Sequence, residues 1–338
     1  MPSLNSIVKV SITKTTITLQ TRDFNRAVFV YEHTAFLEAI KEYANIEAVL
    51  EDFAVNTPAY KFAAGAFAQD IQPSSILIGK KDAADSWTTT LQTLARDEKR
   101  WFYFIPDAIE VSDIPTLAEA VGLLDKAMIV GHEGIADIAI PEAIKAGLYP
   151  RVLSIAYGDN DPAKFLGAVW ARCGLSAVGS SVWAYKQVKG ILPTTYSASD
   201  EADLLDANSN IFTSIAGVNV TYGNFKSGIG EWFDVDVGIV WLKARIQESV
   251  FLVLLSNEKV AYRNDGVAAI ETAVKVVLDE AVKNGLLTND PAPKTKVPDV
   301  NELTAQQRDS RILPSVEFSA QLAGAIQYVD GIVGKISA

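Results

Sequence analysis

Apolar and polar residues alternate at both ends of the chain. Near the start, Val8, Val10 and Ile12 alternate with Lys9, Ser11 and Thr13; the phase then flips, and Ile17 and Leu19 alternate with Thr16, Thr18 and Gln20. A strand cannot change faces without a bulge or turn, so residues 14–16 are predicted to hold one. At the other end Val316, Phe318, Ala320 and Leu322 alternate with polar neighbours, and the same phase resumes at Ile326, Tyr328, Ile332 and Ile336, interrupted by Asp330. This period of two predicts two terminal strands, or one kinked near Gly324.

The interior has a different texture. Short apolar runs are predicted as strands at 27–31, 75–79, 101–105, 127–131 and 151–157, and helical patterns fall at 46–53, 59–69, 83–95, 114–124 and 162–173. Strands separated by helices of about a dozen residues make a mostly parallel sheet covered on both faces, so the fold class is α/β, α+β overall. The alternation is predicted to end around 192–196, followed by a short helix at 200–208 and a hairpin at 218–222. Two long helices come next. The first, starting near Gly238, carries a stripe of Ile239, Leu242, Ile246, Val250 and Val253. The second, capped by Asn264 or Asp265 and ending at Asn284 and Gly285, carries Val267, Ile270, Val274, Val277, Leu278 and Ala281, with Glu271/Lys275 and Asp279/Lys283 as favourable pairs. The segment NDPAPKTKVPD is Pro-rich and reads as an exposed connector. The chain thus divides into an N-terminal strand arm (1–25), an α/β domain (26–190), a helix-rich domain (191–313) containing the connector 289–299, and a C-terminal strand arm (314–338).

Composition narrows the function. With 338 residues and 49% hydrophobic content, the chain has enough material for about two domain cores. The net charge is −11 with no Lys/Arg run, so no nucleic-acid footprint is visible. No apolar run approaches the roughly 20 residues of a membrane helix, and the start MPSLNSIVKV has no basic segment leading into an apolar stretch. The expectation is a protein assembled in the cytosol where it is made. The single cysteine, Cys173, excludes an intramolecular disulfide and reads as a buried small hydrophobe.

Catalytic signatures are sparse. Neither GxGxxG nor a Walker sequence follows a predicted strand, and SGIG at 227–230 reads as a turn. The two histidines are His33 and His132. His132, at the end of a predicted strand and beside Glu133, is the one acid/base candidate, but it lacks a nucleophile elbow or an HExxH partner set. Asp234 and Asp236 are expected to cap the following helix rather than hold a cation. No cofactor or metal is expected.

The terminal strands therefore need a partner more than a substrate. Five apolar side chains per arm, at about 1.5–3 kcal/mol each on burial, represent on the order of 10 kcal/mol before ordering entropy is subtracted. Two arrangements satisfy them: edge strands of the same sheet, or donation to neighbouring copies by β-strand addition, which builds a ring or an open helix.

The stretches EWFDVDVGIVWLKARIQESVFLVLLSNEKVAYRNDGVAAIETAVKVVLDEAVKNGLL and RILPSVEFSAQLAGAIQYVDGIVGKI resemble the C-terminal half of contractile phage tail sheath proteins. The opening VKVSITKTTITLQTRDFNRAVFV and the segment EYANIEAVLEDFAVNTPAYKFAAGAFAQDIQPSSILIG resemble that group's N-terminal half. The most specific pieces are WFDVDVGIVWLKARIQ and LAGAIQYV; residues 82–187 are less diagnostic. The resemblance implies a virion structural protein that assembles in the host cytoplasm as a helical homopolymer of stacked hexameric rings around a tail tube, contacting baseplate and tail terminator proteins. It also implies contraction without nucleotide hydrolysis to deliver the genome, and neither direct nucleic-acid contact nor membrane insertion. On this analogy Val8, Val10, Ile12, Ile17 and Leu19 anchor the N-terminal arm in a neighbour, and Val316, Phe318, Ile326, Tyr328 and Ile332 the C-terminal one. Lys243, Arg245, Lys275 and Lys283 are the basic candidates to face the tube. An enzyme with its site near His132 and Glu133 is the alternative from another class. A tail tube protein is disfavoured by the helix-rich C-terminal half.

Overall fold

A computed structural model describes residues 21–96, 101–314, 316–329 and 331. In chain order the elements are β1 (Ala27–Glu32), β2 (Ile40–Tyr43), α1 (Ile46–Leu50), α2 (Pro58–Phe67), β3 (Ile76–Lys81), α3 (Trp87–Arg96) and β4 (Tyr103–Pro106). There follow α4 (Ile114–Leu123), β5 (Ala127–His132), α5 (Ala139–Ala146), β6 (Val152–Ala156), α6 (Pro162–Gly174), α7 (Ala198–Asp206), β7 (Ser209–Ile215) and β8 (Val218–Tyr222). The C-terminal part holds α8 (Phe233–Ser256), α9 (Asn264–Lys283), β9 (Lys294–Lys296), α10 (Ala305–Asp309) and β10 (Glu317–Ser319).

Eight strands form one sheet in the order β2-β3-β1-β4-β5-β6-β7-β8. The pairings from β3 through β7 are parallel, with Val28 opposite Leu77 and Ala27 opposite Tyr103, and the two edge strands β2 and β8 are antiparallel to their neighbours. The sheet therefore runs on past residue 196, because α7 returns the chain to lay β7 beside β6, with Ser154 opposite Ser209. The outer edge of β8 is taken up by a non-helical segment: Tyr185 N–H donates to the Thr221 carbonyl at 2.7 Å, and Thr221 N–H to the Lys186 carbonyl at 2.9 Å.

Strand alternation sorts the core into two layers. Phe29, Ile78, Ile105, Ile129 and Ile155 point to the face covered by α1, α2, α6 and α8; Val30, Leu77, Phe104, Val130 and Val152 point to the face covered by α3, α4 and α5. On the first face α2 and α6 cross at backbone distance. A Cβ on Gly65 would lie 2.1 Å from the Lys164 carbonyl oxygen, and one on Gly167 2.1 Å from that of Phe62, so only glycine permits the approach. Phe62 is then stacked between Phe29 and Trp170, at centroid distances of 4.5 and 5.8 Å.

Helix α8 begins at Phe233, a turn earlier than the sequence suggests, so Asp234 and Asp236 lie inside its first turn. Asp236 caps nothing of its own helix. Its carboxylate accepts the Arg151 backbone N–H at 2.7 Å and faces the Arg151 guanidinium at 3.6 Å. Arg151, at φ +56°, also donates to the carbonyls of Lys126 and Gly122, both at 3.0 Å, so one buried pair joins α8 to the end of α4 and the start of β6. Burial raises the Asp234 carboxyl above the usual range.

The core-facing stripe of α8 is Val237, Val240, Trp241 and Ala244. Ile239, which periodicity placed on the buried stripe, is 54% exposed. The helix is apolar nearly all round, so spacing alone does not select its inner face. The stripe predicted on α9 is buried throughout.

Candidate functional site

The catalytic alternative comes apart in the structure. His132 ends β5, where the sequence placed it, but it is 1% exposed. Gly134 N–H donates to its Nδ1 at 3.2 Å, which leaves Nε2 to donate to Ser209 Oγ at 2.6 Å. Burial lowers its pKa to about 4, and Glu133 points to solvent instead of pairing with it. His33 sits among Tyr31, Phe36 and Phe53 with centroids 4.6–5.1 Å away, and burial likewise lowers its pKa to about 4. The Cys173 thiol is buried and pushed up to about 12. His132 and Cys173 are core groups, and His33 is half-buried at the edge of the same layer.

The carboxyl ends of β1 and β4 flank the point where strand order reverses, a common ligand position in open α/β sheets. A cavity of about 380 Å³ opens there, with no motif along the chain to mark it. Its lining sets Glu32, Asp107, Glu110 and Asp113 against Lys81, a balance that repels phosphates. Burial, with Asp161 nearby, raises the Asp107 carboxyl to about 6. Among the described residues no group of three or more His, Cys, Asp and Glu could hold a metal ion, and no helix is long and apolar enough to cross a membrane.

The C-terminal segment forms a different kind of surface. The Pro-rich connector, expected to be irregular, contains β9, which pairs antiparallel with β10 through Thr295 opposite Phe318. Thr295 Oγ1 donates to Glu271 at 2.5 Å, and Glu271 in turn pairs with Lys275 at 2.7 Å, so the small sheet is pinned to α9. Beneath β10, α8 and α9 splay around an apolar groove of about 470 Å³ lined by Ile246, Val250, Leu254, Val267, Ile270, Val316 and Phe318.

From residue 320 to 329 the chain follows the body without forming a longer strand. Ala323 N–H donates to the Leu286 carbonyl at 3.0 Å, Gly324 turns at φ +65°, and Tyr185 Oη donates to the Gln327 carbonyl at 3.0 Å. The residues assigned to the C-terminal arm are thus split. Val316 packs on this chain's own core and Phe318 on its groove, while Ile326 and Tyr328 are exposed; Ile332 and the N-terminal set Val8, Val10, Ile12, Ile17 and Leu19 lie outside the described residues.

The four basic candidates do not form one patch. Lys243 pairs with Asp125 at 2.8 Å and holds that carboxyl below its usual range. Arg245 pairs with Glu248 at 2.7 Å and lies over the rings of Phe24 and Trp241, so most of it is buried. Lys275 pairs with Glu271; Lys283 is exposed at the end of α9, and the expected Asp279/Lys283 pair is absent from the ion pairs among the described residues.

Residues 233–291, covering α8, α9 and the entry to the connector, match the family model described as E217 tail sheath protein gp31-like, C-terminal domain. The whole chain has the fold of contractile sheath structures. The helical sheath of the anti-feeding prophage in its contracted state superposes with a TM-score of 0.66 at 12% identity, covering 100% of this chain and 99% of that one. The sheath complex of the PVC extracellular contractile injection system, also contracted, gives 0.66 at 13% identity and 98% of both chains. A chain of the anti-feeding prophage baseplate gives 0.65 at 10% identity, over 100% and 99%. No curated protein matches the chain by sequence. The resemblance to tail sheath proteins drawn from the sequence therefore holds by sequence over the C-terminal helices and by fold from end to end.

Proposed function

We propose that this chain is a non-catalytic sheath subunit that polymerises into a helical sleeve of stacked hexameric rings around a tail tube and is anchored between a baseplate and a terminator. The observation that carries the reading is the likeness to sheath structures over nearly the full length of both chains. Among the described residues the β9–β10 sheet has two strands, each with an open edge, and a lone two-stranded sheet is marginal in water. It is suited to accept strands from neighbouring copies, in the manner of β-strand addition. Ile326, Tyr328 and Ile332 at one end, with the N-terminal arm at the other, are the donors. Contraction then rearranges rigid bodies that remain threaded together, without nucleotide hydrolysis, and drives the tube through the envelope of the bacterial host in whose cytoplasm the particle assembled. Lys243, Lys275 and Lys283 supply weak, releasable contacts to an acidic tube.

Negative-stain electron microscopy of the full-length protein across a concentration series tests this reading. Hollow sleeves or stacked rings are expected; dispersed particles at every concentration, with and without tail tubes, would sink it. An activity abolished by His132→Ala with assembly intact would restore the enzyme reading, which the burial of His132 disfavours.

A further inference from the structure

The segment 320–329 changes its mode of attachment at Gly324. Before it, backbone holds backbone: Thr288 N–H donates to the Gln321 carbonyl at 2.9 Å, Ala323 N–H donates to the Leu286 carbonyl, and Leu287 stands opposite Leu322 in an antiparallel bridge. After it, among the described residues, no backbone-to-backbone bond holds residues 325–329. Two phenols hold them instead. Tyr185, itself at φ +60°, donates to the Gln327 carbonyl, and Tyr328 Oη reaches the Gly223 carbonyl and Asn224 Oδ1, both at 3.4 Å.

This attachment turns the segment the wrong way out. Ile326 is 89% and Tyr328 51% exposed, while Gln327 is the one residue between 320 and 329 that is not exposed. Its amide Oε1 is buried with no hydrogen-bond partner among the described residues. A buried amide oxygen without a partner costs free energy, and so does an apolar side chain left in water. The alternation of the sequence asks for the reverse, because in an extended chain Ile326 and Tyr328 share the face opposite Gln327. Gly324 is placed to permit it. Nothing lies within 4 Å of the position its Cβ would take, so space does not demand glycine there; the left-handed backbone does, and glycine passes between left-handed and extended conformations without steric cost.

We infer that residues 325–329 are a stored arm: the free chain holds them on its own body with Gln327 inward, and on assembly they turn over about Gly324 and present Ile326 and Tyr328 to a second copy of this chain. Anchored through 320–323 and ending beside β8, the arm has left its own β9–β10 sheet behind, so the open edge that can pair with its free backbone is a neighbour's. Turning over relieves the buried amide and the exposed isoleucine together, and it does so only when that neighbour is present, which makes the copy itself the ligand that shifts the equilibrium. The turnover rests on the strand-exchange reading above; the stored state does not.

The test compares alkylation by a maleimide at Ile326→Cys and at Gln327→Cys in the full-length protein, with buried Cys173 left in place. In the dilute chain the thiol at 326 should react at least about tenfold faster than the thiol at 327; equal rates would overturn the stored state. Tyr185→Phe removes only the hydroxyl, and in that background the two rates should come within about twofold of each other. An unchanged ratio would show that the phenol is no latch. In assembled sleeves the order should reverse. Two slow thiols would mean that a neighbour covers the arm in place, and a thiol at 326 that stays the faster would mean that no neighbour receives it; either result overturns the turnover. If no sleeves form at any concentration, with or without tail tubes, the polymer reading fails and the turnover with it, while the dilute-chain rates still decide the stored state.

Discussion

Helices α6 and α8 both carry apolar residues from end to end, but only in α6 are those residues buried along the whole length. Ten of the residues between Ala163 and Gly174 are enclosed by the sheet and α2, whereas the buried residues of α8 stop at Ala244 although the apolar sequence runs on to Leu255. The difference separates two uses of hydrophobic sequence. In α6 the chain consumes its own apolar surface; in the second half of α8 it holds surface in excess of what its own core covers, as interaction sites do.

The strongest way to break this contrast is at the buried root of α8. Asp236→Ala should cost about 3–5 kcal/mol in denaturant unfolding, because it strands the Arg151 guanidinium and backbone N–H without their partner; a cost below about 1 kcal/mol would mean that α8 is not fastened there. The next effect is with pH. His132 is held at about 4 against an ordinary 6.5, so below about pH 6.5 the unfolded chain takes up a proton that the folded chain refuses. Stability should fall between pH 6.5 and 4 by up to about 3 kcal/mol. Asp107, raised from 3.8 to about 6, works the other way: its folded form binds the proton first and gains stability as pH falls through that window. Asp107→Asn should therefore steepen the acid loss, measured by unfolding at pH 7, 6 and 5. Gly167→Ala, which forces a Cβ against the Phe62 carbonyl, should cost about 1–3 kcal/mol, with the melting transition as readout. The smallest change in stability belongs to the exposed half of α8. Phe251→Ser should move unfolding by no more than about 0.5 kcal/mol; a loss comparable to that at Gly167 would erase the distinction between the two helices.

Much of this architecture is legible in the sequence because the parallel strands are short apolar runs set off by helices, and those runs lie where periodicity placed them. What was missed has local causes. β2 is the four-residue IKEY, whose Lys41 and Glu42 hide a strand paired along β3. The signal of α5 is confined to Ile140 and Ile144 around Pro141. β9 lies in a Pro-rich stretch and exists because Phe318, more than twenty residues later, returns to pair with it. His132 was placed at the end of its strand, but its burial depends on Ser209 arriving from β7, a long-range pairing that no local pattern encodes. The same limit applies to the surface: Lys243, Arg245, Lys275 and Lys283 are visible as charges in the sequence, but the carboxylates that neutralise three of them appear only in the fold.

The way the main sheet closes its sides bears on fidelity. One margin, β2, is four residues long and carries Lys41 and Glu42; the other, β8, has its backbone groups engaged by residues 185 and 186. Both are poor templates for a stray strand. Under the proposed exchange of strands between copies, that closure acts as proofreading, steering an incoming strand away from the large sheet and toward the small β9–β10 pair.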